Sequence, residues 1–131
     1  LSCSEDQKNE TKNVSISNVQ KVPIFPGCET YNTNDKLKEC MSQKISKLVN
    51  EEFDTSLGKE LGLSGINRVY VQFKINTEGE IIDIKARASH PELKKEGLRV
   101  VDMLPDMQAG IQDGEKVNVI YQLPITFKIE E

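Results

Sequence analysis

The stretch KVNVIYQLPITFKI, Lys116 to Ile129, decides the fold. Val117, Val119, Tyr121, Leu123, Ile125, Phe127 and Ile129 are apolar at a strict spacing of two, with Asn118, Ile120, Gln122, Pro124, Thr126 and Lys128 between them. Side chains alternate faces along a β-strand, so this pattern predicts a strand with one face on a core and one open to solvent. From Val117 to Ile129 it would extend roughly 43 Å, whereas strands commonly stop at about 5–6 residues. Pro124 has no N–H to give to a ladder, which places the strand at a sheet edge. A long edge strand offers a row of unpaired backbone groups to whatever comes alongside.

Upstream, Val69, Val71, Phe73 and Ile75 alternate with Tyr70, Gln72 and Lys74 as a first strand. Ile82, Ile84, Ala86 and Ala88 alternate with Asp83, Lys85 and Arg87 as a second. Asn76-Thr77-Glu78-Gly79 joins them as a hairpin turn, with Gly79 free to take a positive φ. Asn32, Thr33, Asn34 and Asp35 all favour N-cap positions, and Leu37, Met41, Ile45, Leu48 and Val49 then recur at helical spacing. This predicts an amphipathic helix from Lys36 to Phe53. Thr55 to Gly65 reads as a broken helical turn. Ser89 and Glu92 have the spacing of a capping box for a second helix, whose stripe is Leu93, Gly97, Val100, Val101 and Leu104 and which Pro105 ends.

That second helix, roughly 20 Å long, carries the chain back along the sheet, so the last strand runs parallel to the second. A fully antiparallel sheet then requires the order second, first, last. The expected fold is α+β: a three-stranded antiparallel sheet in that order, with two helices packed on one face.

A chain of 131 residues is one domain's worth. A net charge of −4 argues against nucleic acid or an anionic membrane surface as the main partner, since both demand a basic patch. No run approaches the roughly 18 apolar residues of a transmembrane helix. Residues 1–21 hold no hydrophobic period and read as a disordered tether; residues 22–131 form the domain. Val22-Pro23-Ile24-Phe25-Pro26-Gly27 reads as a short extended arm laid across the core.

Three cysteines are present. Cys28 and Cys40 flank a polar, turn-rich segment at a spacing that suits a disulfide closing a small loop, which implies an oxidising compartment. Two free cysteines in a reducing cytosol are the alternative. Cys3 is left over, in Leu1-Ser2-Cys3-Ser4-Glu5-Asp6. That start resembles the processed end of a bacterial lipoprotein, which would make Cys3 a lipid anchor, against a chain end that merely falls beside a cysteine.

Catalysis has no visible machinery. His90, the single histidine, stands in the expected capping box before a proline. No glycine loop follows a strand as phosphate binding requires, and no cysteine pair has zinc spacing. No enzyme activity, cofactor or metal is expected.

From Val22 onward the chain resembles the C-terminal domain of TonB, in the cysteine-containing form found in some Gram-negative bacteria. The motifs that carry this are Val22-Pro23-Ile24-Phe25-Pro26-Gly27-Cys28-Glu29, Gly65 with Val71-Gln72-Phe73, and Gly79-Glu80-Ile81-Ile82-Asp83-Ile84. They continue with His90-Pro91-Glu92-Leu93, Arg99 to Pro105, and Val119 to Phe127. Cys40 falls where that form carries its second cysteine. Gly97 departs from the family, which usually has alanine there, and Ala109 stands where it usually has proline.

The resemblance implies a periplasmic domain that takes up a receptor's TonB-box peptide as an extra strand, within energy-coupled outer-membrane transport. The expected partner is an outer-membrane receptor or another envelope protein, with a homodimer through the same edge as the competing use. The expected partner-binding residues are Asn118, Ile120, Gln122, Pro124, Thr126 and Lys128. A second reading is a lipid-anchored stand-alone domain, an accessory subunit or scaffold of an envelope complex.

Overall fold

The computed structural model describes residues 12–54 and 56–129. In chain order it contains β1 (Asn13–Ser15), α1 (Asn34–Glu52), α2 (Ser56–Glu60), β2 (Gly65–Ile75), β3 (Ile81–Arg87), α3 (Pro91–Val101), β4 (Gly110–Gln112) and β5 (Glu115–Ile129). The strands form one sheet in the order β1-β5-β2-β3, with β4 pairing to β5 off that path. The class is α+β as expected, and the run β3-β2-β5 is the expected order of second, first and last strands.

The sheet has five strands rather than three, and short α2 makes a third helix. Nor is the sheet fully antiparallel, because β1 runs parallel to β5. Its strand comes from the expected tether, of which residues 12–21 lie on the domain, with Val19 buried. Residues 1–11, including the expected lipid anchor Cys3, lie outside the described residues.

Hydrophobic alternation builds the core. Val69, Val71, Phe73 and Ile75 of β2 and Val117, Val119, Leu123 and Ile125 of β5 are buried with Leu37, Met41, Ile45 and Val49 of α1 and Leu93, Val100 and Val101 of α3. The hairpin Asn76–Gly79 forms as expected, with Gly79 at φ +81 and the Asn76 N–H donating to the Glu80 carbonyl at 2.9 Å. In β3 the alternation slips. The register shifts opposite Gln72 and Lys74, and Asp83 takes φ 51, so this bulge delivers Ile81 to the core beside Ile84 and Ala86.

α3 starts at Pro91 rather than at a capping box: His90 is its N-cap, with no side-chain cap. The helix crosses the sheet closely at Gly97. A Cβ there would stand 2.9 Å from Val69 Cγ1 and 3.3 Å from Val71 Cγ2. Alanine would gain about 1 kcal/mol of helix propensity, but overpacking against two stiff, buried valines costs about 1–3 kcal/mol. Gly97→Ala should therefore lower the urea midpoint; a raised midpoint would show that the helix can lift off the sheet freely.

Glu96 is the buried acid of α3. Arg99 donates to both of its oxygens, at 2.8 and 2.6 Å, and the Asp54 N–H donates at 2.8 Å. Arg99 also donates to the Glu52 carbonyl at 2.6 Å, satisfying an otherwise orphaned end of α1. The Arg99 hydrogen bond, aided by the Asp54 N–H, holds the Glu96 carboxyl below its ordinary range despite burial. A depressed carboxyl adds stability above its unfolded value, about pH 4.3, and loses it as pH falls through the folded value. Glu96→Gln should lower stability at neutral pH and flatten the acid limb of a stability-against-pH curve. A parallel curve would mean that the pair adds nothing.

Candidate docking edge

β5 is bonded along one side to β2, from Val119 opposite Ile75 to Ile129 opposite Gly65. On that same side, before the pairing with β2 begins, β4 folds back on residues 115–117 through the two-residue turn Asp113-Gly114, with φ of 52 and 78, the left-handed pair that closes a tight hairpin. On the other side β1 pairs with Asn118, Val119 and Ile120. Beyond that, residues 121–129 pair only with β2 among the described residues. The expected edge is therefore real only over this second half, because a short parallel strand from the amino-terminal stretch covers the first.

The direction of each backbone group follows from β1. The Asn118 N–H donates to the Lys12 carbonyl at 3.0 Å, and the Ile120 carbonyl accepts from the Ile16 N–H at 2.9 Å. Successive residues of a strand bond to opposite sides, so even-numbered residues of β5 address the outer side and odd-numbered ones address β2. Beyond β1, Gln122, Thr126 and Lys128 each turn an N–H and a carbonyl outward, and Pro124 turns a carbonyl only. Pro124 thus sits where its missing N–H takes nothing from the sheet. Asn118 and Ile120, also expected to bind a partner, lie where β1 already pairs. The Asn118 side-chain amide donates to Asn13 Oδ1 at 3.1 Å.

Side chains obey the same parity. Leu123 and Ile125 are buried, whereas Gln122, Pro124, Thr126 and Lys128 are exposed. Tyr121 stacks on Phe73 with ring centroids 5.3 Å apart, and Phe127 packs tilted on Phe53 at 5.1 Å. Burial pushes the Tyr121 hydroxyl above its ordinary range, partly offset by its hydrogen bond with Ser42. These aromatics hold the strand down, while its outer backbone beyond β1 meets no strand among the described residues. Cys28 and Cys40 are bonded, which fastens the arm to α1.

A sequence profile described as Gram-negative bacterial TonB protein C-terminal matches residues 59–129. The chain belongs to this family. The match spans β2 through β5, and membership implies a role in TonB-dependent envelope transport. The chain is also similar to the NMR solution structure of Helicobacter pylori TonB-CTD (residues 179-285), at 17% identity and a TM-score of 0.49, covering 81% of this chain and 94% of that chain. No curated protein matches the sequence. No described helix is long and apolar enough to cross a membrane. Sequence reasoning missed β1 and β4; the alternation of Val14 and Ile16 and the Asp-Gly pair were the signals for them.

Proposed function

We propose that this TonB-type domain works in the periplasm by adding a partner's extended peptide to β5 from Tyr121 to Lys128, in energy-coupled outer-membrane transport. The carrying observation is the half-open edge: alternate backbone groups of Gln122, Pro124, Thr126 and Lys128 face outward beside a fully built sheet. β1 illustrates the physics, since three residues of extended chain already lie on the same edge. Backbone hydrogen bonds supply the affinity, and side chains beside Gln122 and Thr126 supply the selection.

Titration of the 15N-labelled protein with a TonB-box peptide tests this. Amide shifts should concentrate on residues 122–128. Shifts on other surfaces alone would show the edge misplaced, and concentration-dependent shifts at 122–128 without peptide would assign the edge to a second copy of the chain.

A further inference from the structure

The sheet face that the helices leave uncovered is basic, although the chain carries a net charge of −4. Even-numbered positions of β2 and β5 share that face with their β3 partners. Pairing sets Arg87, Tyr70 and Pro124 in one row and Lys85, Gln72 and Gln122 in the next. Arg68 and Lys128 lie farther along, and Lys74 lies towards the hairpin. Five cations thus share this face; of the two carboxylates in these three strands, Glu115 lies beyond the end of β2 and Asp83 is already engaged by Lys74 at 3.3 Å.

The middle of the face is a groove of about 500 Å³ whose lining includes Tyr70, Gln72, Lys85, Arg87, Gln122 and Pro124. Tyr70 is 45% exposed, and the Arg87 guanidinium lies 5.4 Å from its ring centroid. That cation–π contact holds the guanidinium beside the ring while leaving its N–H fork for a carboxylate. The Gln122 amide donates to Gln72 Oε1 at only 3.5 Å, a long contact that a better partner can replace.

We infer that this groove binds an acidic peptide segment. Its carboxylates meet Lys85 and Arg87, an apolar or aromatic side chain lies on Tyr70 and Pro124, and its backbone meets the two glutamines. Charge complementarity names the sign of the partner, and the concave, amide-lined floor favours a peptide over a bilayer, which requires an apolar surface that can sink into it. The groove goes beyond the proposed edge, because it uses side chains on a sheet face where the edge uses backbone on a border.

Fluorescence anisotropy with a short synthetic peptide alternating glutamate and tyrosine tests the inference. The pair Lys85→Gln and Arg87→Gln should weaken binding about tenfold, the loss of two partly exposed charge contacts, and should flatten its salt dependence. Lys94→Gln with Lys95→Gln removes the same charge from exposed α3 positions and should leave affinity within about twofold, as screening of distant charges demands. Thr126→Pro should leave this binding intact, separating groove from edge. Equal loss in both lysine-containing pairs, or none in either, overturns the proposal. So does binding of phosphatidylglycerol vesicles through Lys85 and Arg87 in the absence of peptide binding.

Discussion

Thr126→Pro is expected to abolish strand addition and leave the domain folded, while Ile125→Pro, one residue earlier, unfolds it. The two differ in where the lost N–H points. Ile125 is 4% exposed and opposes Val69, so its N–H belongs to the ladder with β2. Proline there leaves a buried carbonyl unpaired, at about 1–3 kcal/mol, and removes an isoleucine side chain whose truncation costs about 2–5 kcal/mol. Against a total stability of about 5–15 kcal/mol, that is enough to unfold a small domain. Thr126 is exposed and turns its N–H outward, so proline deletes a donor that only a partner uses. Peptide affinity should fall at least about tenfold, from the lost bond and the ring's obstruction of the incoming strand. Urea melts of both variants and a peptide titration of Thr126→Pro give the result. Undiminished binding by a folded Thr126→Pro would move the docking site to the outer border of β3. That border is blunted by the bulge at Asp83, a common way of discouraging strand addition.

The central sheet was legible because each signal was local and repeated. Alternation marked β2, β3 and β5, the Asn76–Gly79 turn set their pairing, and helix length set their order. β1 was not legible, since Val14 and Ile16 make one alternation inside a polar stretch. Its partner lies 105 residues away, as the Asn13–Asn118 bond records. The length of the free edge depends on that distant pairing, so sequence alone overstated it. The hairpin of β4 and β5 could have been read from Asp113-Gly114 but lay among other glycines. The slip in β3 was hidden because Ile81, Ile82 and Ile84 offer two apolar phases, and only packing against α3 chooses between them. The basic face became readable once strand parity was known, because Arg68, Lys74 and Lys128 then fall on one side.

Removing the Cys28–Cys40 bond should cost more stability than any exposed substitution yet leave the docking edge competent. The bond joins an arm to a helix, with both sulfurs in the core cluster. The arm is otherwise fastened by burial of Val22 and Phe25 in the core, by bridges from Lys21 to Ile111 and from Ile24 to Gln108, and by the Asn34 side chain, which accepts from the Val22 N–H and donates to the Gln20 carbonyl. Closing a loop of sequence separation 12 restricts the unfolded chain by about 3 kcal/mol in the chain-entropy account. For a domain of this size, that corresponds to a fall in Tm of about 10–20 °C. Cys28→Ala with Cys40→Ala is the better comparison than serine, which would bury two hydroxyls, and reduction of the wild type with dithiothreitol should reproduce the shift. Below the lowered Tm, peptide affinity should stay within about twofold, a change of less than 0.5 kcal/mol, because the bond touches neither β5 nor its outward groups. If reduction instead weakened peptide binding in protein that circular dichroism shows to be folded, the arm would have to reach the edge through β1, and the disulfide would belong to the docking machinery rather than only to the scaffold.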